Sequence, residues 1–154
     1  MHTDLWTFSL AVYAHPGVED ACLHLETEGA DVCLLLCAAW LDRHGVVYEP
    51  QRLGQLQQIA QPWQEEVVQP LRQLRTQWKP AAMQDVELNQ LRERIKALEL
   101  EAEQQLLLRL QALTQGWPRT EALRPDAWLE ECATRSASLN RDALRLLHVA
   151  AASV

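Results

Sequence analysis

Val32-Cys33-Leu34-Leu35-Leu36-Cys37-Ala38-Ala39-Trp40-Leu41 carries no charged side chain, no glycine and no proline. A helix that is apolar all round has no face to offer water and must be covered by neighbours on every side. The run falls far short of the roughly 20 apolar residues of a membrane span, so it predicts the central helix of a bundle. A fully buried strand is the competing reading of a short apolar run. The leucine and alanine content and the entry Gly29-Ala30-Asp31 favour helix. Gly29 can close the preceding helix in a left-handed conformation, and Asp31 can cap the new one by accepting a backbone N–H.

Upstream, Asp4 is placed to cap a first helix in which Trp6, Leu10 and Tyr13 recur at helical spacing, with Leu5, Phe8 and Val12 widening the face. His15-Pro16-Gly17 ends it, and Pro16 suits the first turn of a second helix striped by Val18, Cys22 and Leu25. Downstream, Arg43-His44-Gly45 stops the central helix, and residues 46–50 read as an isolated extended connection. Residues 52–60 predict a helix with Leu53, Leu56 and Ile59 inward, and Pro62 starts or kinks the next. There Trp63, Val67, Leu71, Leu74 and Trp78 align only on a helix, which Pro70 should bend and Pro80 should end. Asp85 is placed to cap the longest helix, residues 85–113, with Leu88, Leu91, Ile95, Leu98 and Ala102 as its stripe and Leu106, Leu110 and Leu113 continuing it.

An antiparallel hairpin follows if the chain reverses near residues 81–84. Its register sets Trp78 against Leu88, Leu74 against Leu91, Val67 against Leu98 and Trp63 against Ala102. Residues 114–125 read as a loop, Asp126 as the cap of a short helix, Ser136-Ala137-Ser138 as an interruption, and residues 140–151 as a final amphipathic turn or two. The expectation is one all-α domain, a helical bundle with a long hairpin, its core in residues 4–113 and a weaker extension in 114–154.

Composition narrows the function classes. With 14 Lys+Arg against 21 Asp+Glu the net charge is -7, which repels phosphate backbones and anionic lipid, so neither nucleic acid nor membrane is expected as a partner. Residues 1–13 lack the basic start and uninterrupted apolar core of a secretory signal, and Cys22, Cys33, Cys37 and Cys132 sit in apolar helical patterns. Both point to reduced thiols in the cytoplasm.

No pattern specifies a reaction. Cys33 and Cys37 share a helical face and could join Cys22 and His24 on a soft metal, but structural zinc sites use tight loop spacings, and buried apolar thiols explain the pair more simply. Glu26, Glu28 and Asp31 cluster at a helix junction and could hold magnesium if Asp42 came near; capping and dipole compensation account for them with less. Phosphate loops, nucleophile elbows and dinucleotide fingerprints are missing from the sequence. No catalytic residue, metal site or cofactor is therefore expected.

Three surface features remain. Arg72, Arg75 and Lys79 lie 3 and 4 apart on one hairpin helix, and Arg92 and Lys96 lie 4 apart on the other. They are candidates for an anion or an acidic partner through forked guanidinium contacts, or a solvated face balanced by Glu93 and Glu99. Leu106, Leu107 and Leu108 together sweep roughly 200° of helix surface, more than one partner covers, which makes them a candidate interface and a homodimer a candidate assembly. Trp117, in a Gly-Trp-Pro loop, either marks a contact surface or tucks back onto the bundle.

The segments Trp6-Thr7-Phe8, Tyr13-Ala14, Gly17-Val18, Cys22-Leu23 with Leu25, and Gly29-Ala30-Asp31-Val32 with Leu34-Leu35-Leu36 resemble an uncharacterised family of small all-helical hypothetical proteobacterial proteins. Glu66-Val67-Val68-Gln69-Pro70-Leu71-Arg72 and Leu98-Glu99-Leu100-Glu101-Ala102-Glu103 extend the resemblance, which covers roughly residues 6–113. It implies an all-helical cytoplasmic protein and transfers no catalytic residue. The function expected is a non-enzymatic interaction or regulatory protein that binds another protein through its hairpin. The alternative is a helical enzyme or small-ligand carrier with a pocket between the N-terminal helices and the hairpin. A pocket lined by Asp31, Glu28 and an arginine would favour the alternative, and an exposed leucine patch on the hairpin the first reading.

Overall fold

The computed structural model describes residues 3–120, 127–134 and 140–154. The fold is all-α: α1 Leu5–Tyr13, α2 Val18–Thr27, α3 Val32–Arg43, α4 Pro50–Trp63, a π-helical turn Gln64–Val68, α5 Gln69–Ala82, α6 Val86–Thr114, α7 Ala127–Thr134 and α8 Arg141–Ala152. Among the described residues no strand forms, and the extended connection after α3 makes a single bridge, Val46 to Arg119. No helix there is long and apolar enough to cross a membrane.

α3 is the axis. Every side chain from 32 to 41 is buried, and the helix touches α1, α2, α4, α6, α7 and α8. Its entry is built as the residue types dictate. Gly29 takes φ +91°, which L side chains rarely adopt, and the Asp31 carboxylate accepts the Leu34 N–H at 3.0 Å. Asp4, Asp85 and Asn140 cap α1, α6 and α8 in the same way, through the N–H groups of Thr7, Leu88 and Ala143. The expected cap at Asp126 and the interruption at Ser136-Ala137-Ser138 lie outside the described residues.

Pro62 neither starts nor ends a helix. α4 runs through it, widens into the π turn, and continues as α5 to Ala82, with Pro80 inside the last turn. The physical reason is Pro70, which has no N–H to donate and whose ring would crowd a tightly wound turn before it. The wider turn takes up that missing bond: the Gln69 N–H reaches back five residues to the Gln64 carbonyl.

The chain then reverses over residues 83–85, and α6 returns alongside α5. Trp63 Nε1 donates to the Ala102 carbonyl at 2.8 Å, the pairing the register predicts. The outer hairpin differs from expectation. Ala82 is the one buried side chain between residues 69 and 98, and Leu91 and Leu98, expected inward, are 47% and 48% exposed. Among the described residues α5 packs chiefly on α6, and two helices alone cannot enclose a seam. Glu99, not Leu98, occupies the buried position at that level of α6.

Leu106 and Leu107 correct the interface reading: both are buried in the main core, because α1, α3 and α4 supply the cover that α5 does not. Leu108 alone of the three is exposed. Leu108→Glu should therefore change stability by no more than about 0.5 kcal/mol and leave the light-scattering mass unaltered. A fall in mass would restore the leucine interface.

Trp117 tucks back. It stacks on Trp128 with 5.7 Å between ring centroids and lies beneath the Arg52 guanidinium. Trp128 is fully buried, donates Nε1–H to the Val46 carbonyl at 2.9 Å, and meets Tyr48 edge-on. Leu129, Cys132, Leu147 and Ala150 are buried with it, so the weakly patterned C-terminal part contributes to the same core.

Candidate functional site

Where the end of α2, the start of α3, the π turn, α5 and α6 converge, the helices enclose charge rather than hydrocarbon. Glu99 is buried and accepts from two arginines one turn apart on α5: Arg75 Nε at 2.6 Å and Arg72 Nε at 3.1 Å. Arg72 also reaches Glu26 of α2 at 3.6 Å. Gln64, buried in the π turn, donates its amide to Asp31 at 3.0 Å, so the α3 cap and the wide turn hold each other. Wide turns of this kind recur at functional sites.

A cavity of about 450 Å³ opens here, lined among others by Glu26, Asp31, Gln64, Glu65, Arg72 and Glu103. A second, of about 260 Å³, lies between α1, α2 and α6 and shares Glu26, Cys33 and Glu103 with the first. Burial raises the Glu103 carboxyl to about 7; the negative charges of Glu26 and Glu99 push the same way, and Arg72 and Arg75 offset them in part. Burial also raises Glu26, opposed by Arg72, and Asp31, opposed by the Leu34 N–H and the Gln64 amide. Perturbed carboxyls gathered at a cavity make it a candidate functional site.

Cys22 and Cys33, which lie near the cavities, are not poised for thiolate chemistry. Burial pushes Cys22 up to about 11 and raises Cys33 well above its ordinary value, so neither supplies thiolate at neutral pH.

The residues expected from sequence separate into two sets. Arg72 and Arg75 reach the site, where both are held by Glu99 and Arg72 also by Glu26. Arg92 donates to the Arg75 carbonyl at 2.9 Å, Lys96 pairs with Glu93 at 3.4 Å, and Lys79 is exposed farther along the hairpin. Glu28, Asp31 and Asp42 do not converge. Glu28 accepts from the Asn140 N–H, Asp31 caps α3, and Asp42 accepts the Trp128 and Leu129 N–H groups at the start of α7. Among the described residues no three His, Cys, Asp or Glu side chains group closely enough to hold a metal ion. Glu103 and Gln64 were missed because charged and amide side chains on a helix normally read as solvated. Glu99 left a signal: it lies four after Ile95 and three before Ala102, on the stripe itself.

Comparison with known families adds one finding. The family described as protein of unknown function, DUF2390, matches residues 4–110. The chain belongs to DUF2390. Every residue named in the charged cluster lies within that match, whereas α7 and α8 lie beyond it. No curated protein and no solved structure matches the chain.

The raised Glu103 carboxyl has a consequence for stability. The native state holds this proton more tightly than the unfolded chain, whose carboxyl titrates near its ordinary 4.5. Stability therefore falls as pH rises from about 4.5 to about 7, and the loss is complete above that window. Glu103→Gln, which cannot ionise, should gain about 2–3 kcal/mol on wild type between about pH 5 and pH 8 by urea unfolding. A constant difference across that range would place the Glu103 carboxyl at its ordinary value.

Proposed function

We propose that this DUF2390 protein binds a small molecule in the cleft between its N-terminal helices and its hairpin, as a carrier or sensor rather than an enzyme. The observation that carries this is the pair of adjoining cavities meeting at Glu26 and Glu103, with Asp31 and Arg72 lining the larger. Its volume of about 450 Å³ falls in the range that small ligands occupy, roughly 300–1,000 Å³. Glu26 takes the place that the sequence suggested for Glu28, since Glu28 is engaged by Asn140. A bacterial cytoplasm is the setting we assign, and the four free, buried thiols suit a reducing compartment. The test is a fragment set screened by protein-observed NMR. Binding should perturb amides in residues 26–34, 57–72 and 99–107. Hits confined to other surfaces, or none at millimolar concentration, would refute the proposal.

A second reading keeps the hairpin as a protein-docking arm. Met83, Val86, Leu91 and Leu98 are exposed on it, with Lys79, Arg92 and Lys96 nearby in the chain. A partner recovered by affinity purification should then be lost with Leu91→Glu/Leu98→Glu and kept with Glu103→Gln. The opposite pattern would tie the partner to the cleft.

A further inference from the structure

The chemistry around the two cavities narrows what the cleft can hold. In the larger one Glu26, Asp31, Glu65 and Glu103 stand against a single cation, Arg72, which Glu26 and Glu99 already engage. In the smaller one Glu19, Glu26, Glu99 and Glu103 stand against Arg75, which is held by Glu99. An anionic ligand would meet carboxylates on each wall and find both guanidiniums taken. No side chain among the described residues donates a hydrogen bond to Glu103, which lines both cavities and is the acceptor left open where they join.

The smaller cavity adds a second, independent constraint. Trp6, Leu36 and Leu107 form part of its wall, and Leu10, Leu23 and Leu100 line it while standing 50%, 49% and 54% exposed. Apolar surface gathered round one opening is surface awaiting a cover. Ser9, 3% exposed, also lines this cavity, and its Oγ has no hydrogen-bond partner. Buried hydroxyls are almost always satisfied, so an unsatisfied one beside a cavity points to a missing polar group.

We infer that the ligand is an organic amine: an ammonium group held between Glu26 and Glu103, and a hydrocarbon part lying among Leu10, Leu23 and Leu100. This rests on the small-molecule reading above and adds the ligand's class to it. The ammonium brings donors to an acceptor that lacks them and offsets the surplus negative charge, and the hydrocarbon covers the leucines.

The experiment uses hexylammonium, hexanol, hexanoate and ethylammonium as probes, titrated at pH 7.5 and followed by NMR shifts of the cleft amides. Hexylammonium should bind about tenfold or more tighter than hexanol, with hexanoate weaker still. Ethylammonium, which keeps the charge and loses most of the chain, should also bind more weakly. Glu103→Gln should remove the advantage of hexylammonium over hexanol. Hexanol or hexanoate binding as tightly as hexylammonium would overturn the amine assignment while the small-molecule reading stood. If none of the four shifts a cleft amide, the amine assignment falls, and the fragment screen alone decides the small-molecule reading. Equal hexylammonium affinity in Glu103→Gln and wild type would also overturn the assignment, because the carboxylate would then not be its anchor.

Discussion

Glu99→Ala should destabilise the protein by about 3 kcal/mol in urea unfolding, because it leaves Arg72 and Arg75 without the acceptor that both were folded around. The penalty arises less from losing the attraction than from stranding two half-buried guanidiniums. Arg72 keeps Glu26, so Arg75 bears most of the loss. A triple variant that also replaces Arg72 and Arg75 with methionine should recover much of it, since hydrocarbon of similar volume can replace a buried ion cluster. A single-variant loss below about 0.5 kcal/mol, as exposed ion pairs give, would mean that the cluster is solvated in solution.

Trp128→Ala should have the largest effect, about 3–5 kcal/mol. The indole is fully buried, carries the hydrogen bond to the Val46 carbonyl, and is the platform on which Trp117 stacks. Removing it opens a cavity between α3 and α7 and strands that carbonyl. Trp128→Phe restores the ring but not the N–H and should recover about half. If both variants melt with wild type, α7 does not dock on α3 in solution.

How far the fold can be read from sequence depends on what each helix faces. α3 was legible because ten apolar residues in a row admit one physical solution, enclosure on all sides. The caps at Asp4, Asp31 and Asp85 were legible because each carboxylate precedes an apolar-periodic segment and has orphan N–H groups to accept from. Trp63 against Ala102 followed from helical geometry alone. The outer hairpin misled because periodicity marks the face a helix prefers to bury, not whether a neighbour exists to bury it. Leu91 and Leu98 satisfy the spacing and remain half exposed. The charged cluster was hidden for the converse reason: Glu26, Arg72 and Glu103 each read locally as solvent-facing, and Glu99, though on the stripe, read as a charge balancing the hairpin arginines. Only the meeting of α2, α5 and α6 turns four ordinary surface residues into one shared desolvated site.

The wide turn at Gln64–Val68 spends one residue more than an α-helix would over the same number of turns. Wound as regular α-helix without the wide turn, the same residues would carry everything after it about 100° further around the axis. Trp63 and all that precedes it would keep their places, but Arg72 and Arg75 would rotate off Glu99, and Arg72 would leave the wall of the larger cavity. The turn thus acts as a phase setting between two otherwise regular lengths of helix. How wide the chain winds at this one point, just before Pro70, decides whether the charges on α5 and α6 meet.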